Sequence, residues 1–410
     1  MTGSGSIEPI PAGTPRGTSA VFLAILEWCV FAIQAVALGI VAARNFFALN
    51  PDAMSYFRIA KYYAEGRFGL AVNGYWSPML SWMMTPLVAT DVGALTALRV
   101  AMMLSALVFT AGYDFLLRTV VADRALRVLL LALLAVATLA WSVENITPDL
   151  LADGIVLFAL ASTLRAVRSG SSGIGFGAGA LWGAAYLAKA VNLPVALGSL
   201  PLLVLLIHAE DGDRSRSRQA RLLLFAGAGL AAVALPWIVT LSILYQRPTF
   251  STAGRIAHAI VGPTDRDRRL PMFVNFVTPP QGRITIWEEP SRSPFAYWSP
   301  FESSAYFRHQ VNLFRSNAAL IWKTLASFDL LGFGLTAGLA SLFALLVRPS
   351  IERKFPWIVS IVPFPLVCLI YAQVFAVDSR YYYVVWPLLL LCAVEWGRVA
   401  GMRLFGRRGA

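Results

Sequence analysis

The sequence predicts an all-α polytopic membrane protein, a bundle of about ten transmembrane helices with further helices lying along the membrane interface. Three observations lead there. Of 410 residues, 58% are hydrophobic and 14% charged, whereas a soluble domain usually carries about a quarter charged; a soluble enzyme is excluded. The apolar residues come in blocks such as 21–43 and 222–244, each long enough to cross a hydrocarbon core of ~30 Å as a helix. The basic residues punctuate these blocks mainly on one side, as expected of loops held in the cytoplasm.

In chain order, residues 1–18 are rich in Gly, Ser and Pro and read as a disordered cytoplasmic tail. The apolar block that follows is longer than a signal-peptide core and reads as an uncleaved first span. Apolar runs and their charged punctuation place spans near 20–43, 93–118, 125–143, 149–167, 173–189, 193–208, 220–244, 327–347, 355–376 and 382–400. With the N-terminus inside, the inner connections carry Arg118, Arg124 and Arg127, then Arg165 and Arg168, then Arg214, Arg216, Arg218 and Arg221, then Arg348, Arg353 and Lys354. The short outer connections carry chiefly Lys189 and Arg380, and the C-terminus ends in Arg398, Arg403, Arg407 and Arg408. The positive-inside rule then puts both termini in the cytoplasm. The formal charge of +12 is read as this topology signal, so no nucleic-acid partner is expected. Cys29, Cys368 and Cys392 all lie inside apolar blocks and indicate neither a disulfide framework nor a CxxC metal site.

The domain organisation expected is an N-terminal transmembrane module, 19–245, containing a first outer loop at 44–91. A second outer segment spans 246–325, and C-terminal helices with a basic tail occupy 326–410. Long loops in compact proteins are usually functional or disordered, and neither of these looks disordered. In the first, Tyr56, Ile59, Ala60 and Tyr63 share one helical face while Arg58, Lys61 and Glu65 lie elsewhere, the pattern of an interfacial helix. Residues 78–88 are apolar but too short to span. The second segment holds Pro248, Pro263, Pro271, Pro279, Pro280, Pro290, Pro294 and Pro300 among many aromatics, which predicts an ordered, irregular cover with little helix. No internal repeat stands out, which counts against a transporter built from repeated halves.

Three groups carry candidate chemistry. In Asn50-Pro51-Asp52, Pro51 suits a first helical turn and Asp52 falls beside the positive end of the helix dipole. Asp52 is either a helix-start carboxylate or a general base at a membrane-facing cleft. In Glu144 to Asp153, Thr147, Pro148 and Asp149 form a helix start, and Asp153 follows Asp149 by one turn on the same face. A carboxylate that deep is costly unless it faces a cavity, a partner or a cation; Lys189, on the same side, is the alternative partner. In Asp378-Ser379-Arg380-Tyr381-Tyr382-Tyr383, the tyrosines read as an interfacial belt. Arg380 either holds a lipid-linked phosphate or is neutralised by Asp378. Asp211-Gly-Asp213 and Asp265-Arg-Asp267 read as solvated charge. His208, His258 and His309 lack zinc-hydrolase spacing, and neither a Walker A sequence nor a GxSxG elbow is present.

With Asp52, Tyr56, Ala60, Gly66 and Asn73-Gly74-Tyr75-Trp76-Ser77-Pro78 in the first outer loop, Thr147-Pro148-Asp149 in the second and Arg380-Tyr381 at a late span, the chain resembles the integral-membrane glycosyltransferases of the C-type (GT-C) fold. It is most similar to the bacterial relatives of the protein O-mannosyltransferases and the aminoarabinose lipid A transferase. The likeness covers roughly the first half of the chain and the last two spans. It implies inverting transfer of a sugar from a polyprenyl-phosphate donor to a lipid, glycan or protein acceptor at the outer face of a bacterial inner membrane. On that basis Asp52 and Asp149 are catalytic, Glu144 and Asp153 orient the acceptor or a cation, and Arg380 and Lys189 bind the donor phosphate. Tyr56, Tyr75 and Trp76 line the cleft. A divalent cation is a candidate ligand; no other cofactor is implied. The chain departs from the pattern at Trp76-Ser77, where relatives often carry His or Lys before the proline. Two rivals are a lipid or small-solute transporter using Asp153 and Lys189, and an O-antigen polymerase or ligase. The second draws on Arg255, Arg266, Arg268, Arg269, Arg283, Arg292, Arg308 and Arg315 of the outer segment.

Overall fold

A computed structural model describes residues 16–210, 215–266, 277–280, 282–327, 355–374 and 378–405. The expected span 327–347 and Asp211, Asp213, Arg214, Asp267, Arg268, Arg269, Arg348, Arg353, Lys354, Arg407 and Arg408 lie outside these described residues, except Ser327. Regular structure among the described residues is helical. The first half contains α1 (Arg16–Arg44), α2 (Pro51–Ala64), α3 (Phe68–Ala71), α4 (Pro78–Ala89), α5 (Ala94–Val120), α6 (Arg124–Glu144), α7 (Asp149–Ser169), α8 (Ser172–Ala188), α9 (Asn192–Glu210) and α10 (Arg216–Tyr245). The rest comprises α11 (Ala253–Ala259), α12 (Ser304–Ala326), α13 (Phe355–Ile361), α14 (Pro363–Ala372) and α15 (Val385–Phe405), with short 3₁₀ turns at Ile286–Glu288, Pro290–Arg292 and Ser379–Tyr382.

Residues 21–44 of α1, and α5, α6, α7 and α10, are long and apolar enough to cross a membrane. Shorter apolar helices run at Asn192–His208, Trp357–Ala372 and Val385–Gly397. Each expected span other than 327–347 therefore coincides with helix. That at 355–376 is broken into α13 and α14 beside Pro363, because a proline supplies no backbone N–H to the preceding turn. The second outer segment contains more helix than its prolines suggested. Its prolines stop at Pro300, Ser303 caps the next helix by accepting from Tyr306 N at 3.1 Å, and α12 then runs for 23 residues.

The central helix is α7, almost wholly buried and flanked by α5, α8 and α9; α1 lies on α5 and α6, and α10 on α8. Lipid offers apolar side chains no advantage in leaving it, so such helices gain by close backbone approach. A Cβ on Gly154 of α7 would meet Phe109 Cα of α5 at 2.7 Å, and one on Gly229 of α10 would meet Ala180 N of α8 at 2.9 Å. Hydrogen bonds add to this: Gln34 Nε2 of α1 donates to Thr110 Oγ1 (2.7 Å) and Thr138 Oγ1 (2.8 Å) on α5 and α6.

The two ends of the bundle differ in chemistry. At one, buried Glu27 is ringed by Arg118 (2.9 Å), Arg124 (3.1 Å) and Arg127 (3.6 Å), and Arg218 at the start of α10 donates to the carbonyls that end α7. At the other, α2 and α4 lie across the helix ends, where Arg99 donates to the carbonyls of Asn45 and Ala48. Ile146 N donates to Asn50 Oδ1 at 3.0 Å, joining the connection before α2 to that between α6 and α7. All the residues singled out above for chemistry gather at this second end, among those described.

Candidate functional site

Helix α2 begins at Pro51, with Asp52 in its first turn. Its buried face carries Ala53, Tyr56, Ile59 and Ala60, as the periodicity predicts, while Tyr63 is only half-buried. Asp52 is thus a helix-start carboxylate, and it is also more than that. Arg380 Nη1 donates to Asp52 Oδ2 at 3.0 Å, and Trp287 Nε1 reaches Asp52 Oδ1 at 3.4 Å. The same guanidinium lies with Nε 2.9 Å from Asp378 Oδ2, an ion pair without hydrogen-bond alignment at Nε. Asp378 Oδ1 accepts Arg380 N at 3.2 Å, which fixes the turn that presents the arginine. Both alternatives for Arg380 therefore meet in one side chain, shared between Asp52 and Asp378. Burial opposes its charge, but Asp149, Asp378 and Asp52 outweigh that and push its pKa up.

Beside this pair lies a second. Lys189, just past the end of α8, donates to Asp149 at the start of α7. Its ammonium also sits over the rings of Tyr381 (4.7 Å) and Tyr371 (5.5 Å), which stack on each other at 4.5 Å. Asp153, one turn deeper on the same face, is buried. Lys189, offered from sequence as the partner of the stacked Asp149 and Asp153 carboxylates, pairs with Asp149. Glu144, at the exposed end of α6, accepts from Tyr383 Oη at 3.4 Å and marks the rim. Tyr382 and Tyr383 do not form the interfacial belt expected of them, since both are fully buried, with Tyr383 stacked on Trp141 at 4.3 Å; Tyr381 is half-buried.

The cleft residues Tyr56, Tyr75 and Trp76 are brought together. Tyr56 and Trp76 meet edge to face at 5.1 Å, Tyr75 and Trp76 at 4.6 Å. The phenol of Tyr56 is pushed well above its ordinary pKa, first by burial and then by the nearby Asp52 and Asp149 carboxylates, so it stays a neutral donor under the site. Asn73 Oδ1 accepts the backbone N–H of Tyr75 (2.8 Å) and Trp76 (3.0 Å), shaping the turn before α4.

What sequence reasoning missed is the strap at 285–292, carried by the second outer segment. Ser55 Oγ (3.1 Å) and Trp76 Nε1 (2.8 Å) both donate to Trp287 O. Asn73 Nδ2 donates to Glu288 O, and Tyr62 Oη to Glu288 Oε2, each at 2.5 Å. Glu288 and Glu289 are both almost fully buried; Glu289 accepts from Tyr245 Oη at 2.9 Å and pairs with Arg283 at 3.4 Å. The legible signal was Thr285-Ile-Trp-Glu288, a capping-box sequence, and the box forms. Among the described residues no group of three or more His, Cys, Asp or Glu side chains is placed to hold a metal ion.

The fold defines a polytopic helical membrane protein, and one end of its bundle gathers two carboxylate–cation pairs beside a cluster of aromatic rings. Its chain is similar to that of the crystal structure of ArnT from Cupriavidus metallidurans bound to undecaprenyl phosphate, with a TM-score of 0.48 and 15% identity over 96% of this chain. The match spans 63% of the length of that protein. No family model and no curated protein matches the sequence.

Proposed function

We propose that this chain is a membrane glycosyltransferase that moves a sugar from a polyprenyl-phosphate donor to a lipid, glycan or protein acceptor. The observation that carries the reading is Arg380 donating to Asp52 beside the Lys189–Asp149 pair: a carboxylate able to act as a base and two fixed cations lie side by side at one bundle end. Asp52 accepts the proton of the acceptor nucleophile as that atom attacks the anomeric carbon. The bond from that carbon to the phosphate oxygen breaks, its electron pair leaves with the phosphate, and Arg380 and Lys189 stabilise the charge. Attack opposite the leaving group inverts the anomeric centre. Asp149 holds Lys189 in place, and Glu144 and Asp153 flank the acceptor side. The motif resemblance supports the same assignment.

In this reading the arginine-ringed end faces the cytoplasm of a bacterial inner membrane, with both termini, and the cleft opens on the outer face. The first outer loop, 44–91, and the segment 246–325 then form its roof. A transporter is less well supported, since Lys189 is held by Asp149. The test is sugar transfer from a panel of radiolabelled polyprenyl-phosphate sugars by purified protein in nanodiscs, with membrane lipid extract as acceptor. Transfer by wild type that falls at least ~100-fold in folded Asp52→Asn is expected, the low end of what a general base contributes. Equal transfer by the variant overturns the assignment.

A further inference from the structure

We propose that Trp287 is the positioning residue for Asp52, so that the second outer segment builds the active site rather than merely covering it. The inference rests on the transferase reading for its consequence, but not for the contact itself.

The two oxygens of Asp52 have different neighbours: Arg380 takes Oδ2 and the indole N–H of Trp287 faces Oδ1. A carboxylate held at both oxygens cannot swing about its Cβ–Cγ bond, so the lone pair that takes a proton has a fixed direction. The indole is itself immobilised from both sides. Its backbone carbonyl accepts from Ser55, on the same first turns of α2 as Asp52, and from Trp76. Its ring packs on Trp76 at 5.5 Å and on Tyr75 at 5.6 Å. The next residue, Glu288, is anchored independently by Tyr62 and Asn73 and by the backbone N–H of Ile284 at 3.0 Å. Anchoring of this density far exceeds what an irregular surface cover requires, and it converges on a side chain that, with Arg380, touches the base. Trp287 remains only half-buried, as does Tyr75, so the pair also leaves aromatic surface beside Asp52 on which the apolar face of a sugar ring can rest.

Two measurements test this together. Ultraviolet resonance Raman reads indole N–H hydrogen bonding in a tryptophan marker band. Asp52→Ala is expected to move one component toward weaker bonding, and Trp287→Phe to delete that component. In the transfer assay, Trp287→Phe keeps an aromatic ring but no donor. It is expected to lower kcat about threefold, less than the about tenfold of a well-formed hydrogen bond to a charged group because 3.4 Å is long for such a bond, with donor KM unchanged within about twofold. Trp287→Ala is expected to lower kcat further and raise KM. A Raman component indifferent to Asp52→Ala overturns the inference, as does wild-type kcat in Trp287→Phe, and either leaves the transferase reading standing on Asp52→Asn. Coupled Raman components in a protein that transfers no sugar from any donor support the contact and sink the transferase reading instead.

Discussion

Removing the Lys189 ammonium while keeping its bulk, as in Lys189→Met, strips the cation from a carboxylate with almost no solvent. The Asp149 side chain is 4% exposed and that of Lys189 20%. Breaking a buried ion pair by deleting one partner costs about 3–5 kcal/mol, mostly the penalty for the charge left behind. Two features put this site at the lower end, about 3 kcal/mol: Lys189 keeps some water, and Arg380 remains near enough to share the Asp149 charge. Unfolding entropies of about 2 cal/mol/K per residue, over 410 residues, convert this to a fall of about 3–4 °C in the thermal midpoint. The double variant Asp149→Asn/Lys189→Met leaves no orphan charge and is expected to return to within about 1 °C of wild type, because exchanging a whole buried pair for neutral groups is often close to neutral. Fluorescence-monitored unfolding in detergent, with size-exclusion profiles as a check on folding, gives the four midpoints of the cycle. A double variant that loses the sum of the two single losses refutes the argument, for the pair would then not be coupled.

Two further outcomes are expected. Glu289 lies in the strap, where burial raises its pKa above the usual 4.5 despite opposing contributions from Ser291, Arg283 and Tyr245. A group with a raised folded pKa holds its proton more tightly when folded, so its contribution is full below the unfolded pKa and lost as pH rises through the folded one. Amide-exchange protection of residues 285–292 should therefore fall as pH rises from about 4.5, after correction for intrinsic exchange, and Glu289→Gln should flatten that dependence; an unchanged slope in the variant counts against it. Gly179 of α8 faces the backbone of Ala226 with no room for a side chain. Gly179→Leu should cost more than the ~1–3 kcal/mol of ordinary overpacking and abolish a monodisperse elution peak, whereas Gly177→Leu, whose Cβ meets nothing within 4 Å, should elute as wild type does.

The membrane class and most helix positions were legible because hydropathy and length suffice when every backbone group must be satisfied inside its own segment. Asp52, Asp149, Lys189 and Arg380 were legible for a related reason: each is a charge at the edge of an apolar block, where solvation makes charge conspicuous. Who pairs with whom was not. Lys189 could face Asp149 or Asp153 until the depth of each along α7 was known, and a one-turn difference decides it. Trp287 was hidden by composition, one aromatic among many in a proline-rich segment, and its role arises only from contacts with residues more than two hundred positions earlier. The long helix α12 was missed for the opposite reason, since the prolines that argued against helix end before it starts.

The hydrogen bond between Asp52 and Arg380 joins positions 328 residues apart, and that separation sets an order of events during synthesis. Helix α2 is made early, but the cation that pairs with its carboxylate arrives only with the last helices, and the strap arrives between them. Until the last helices are inserted, Asp52 lacks Arg380, and a partly made chain holds the carboxylate without its cation. Completion of the Asp52–Arg380 pair is therefore coupled to completion of the bundle.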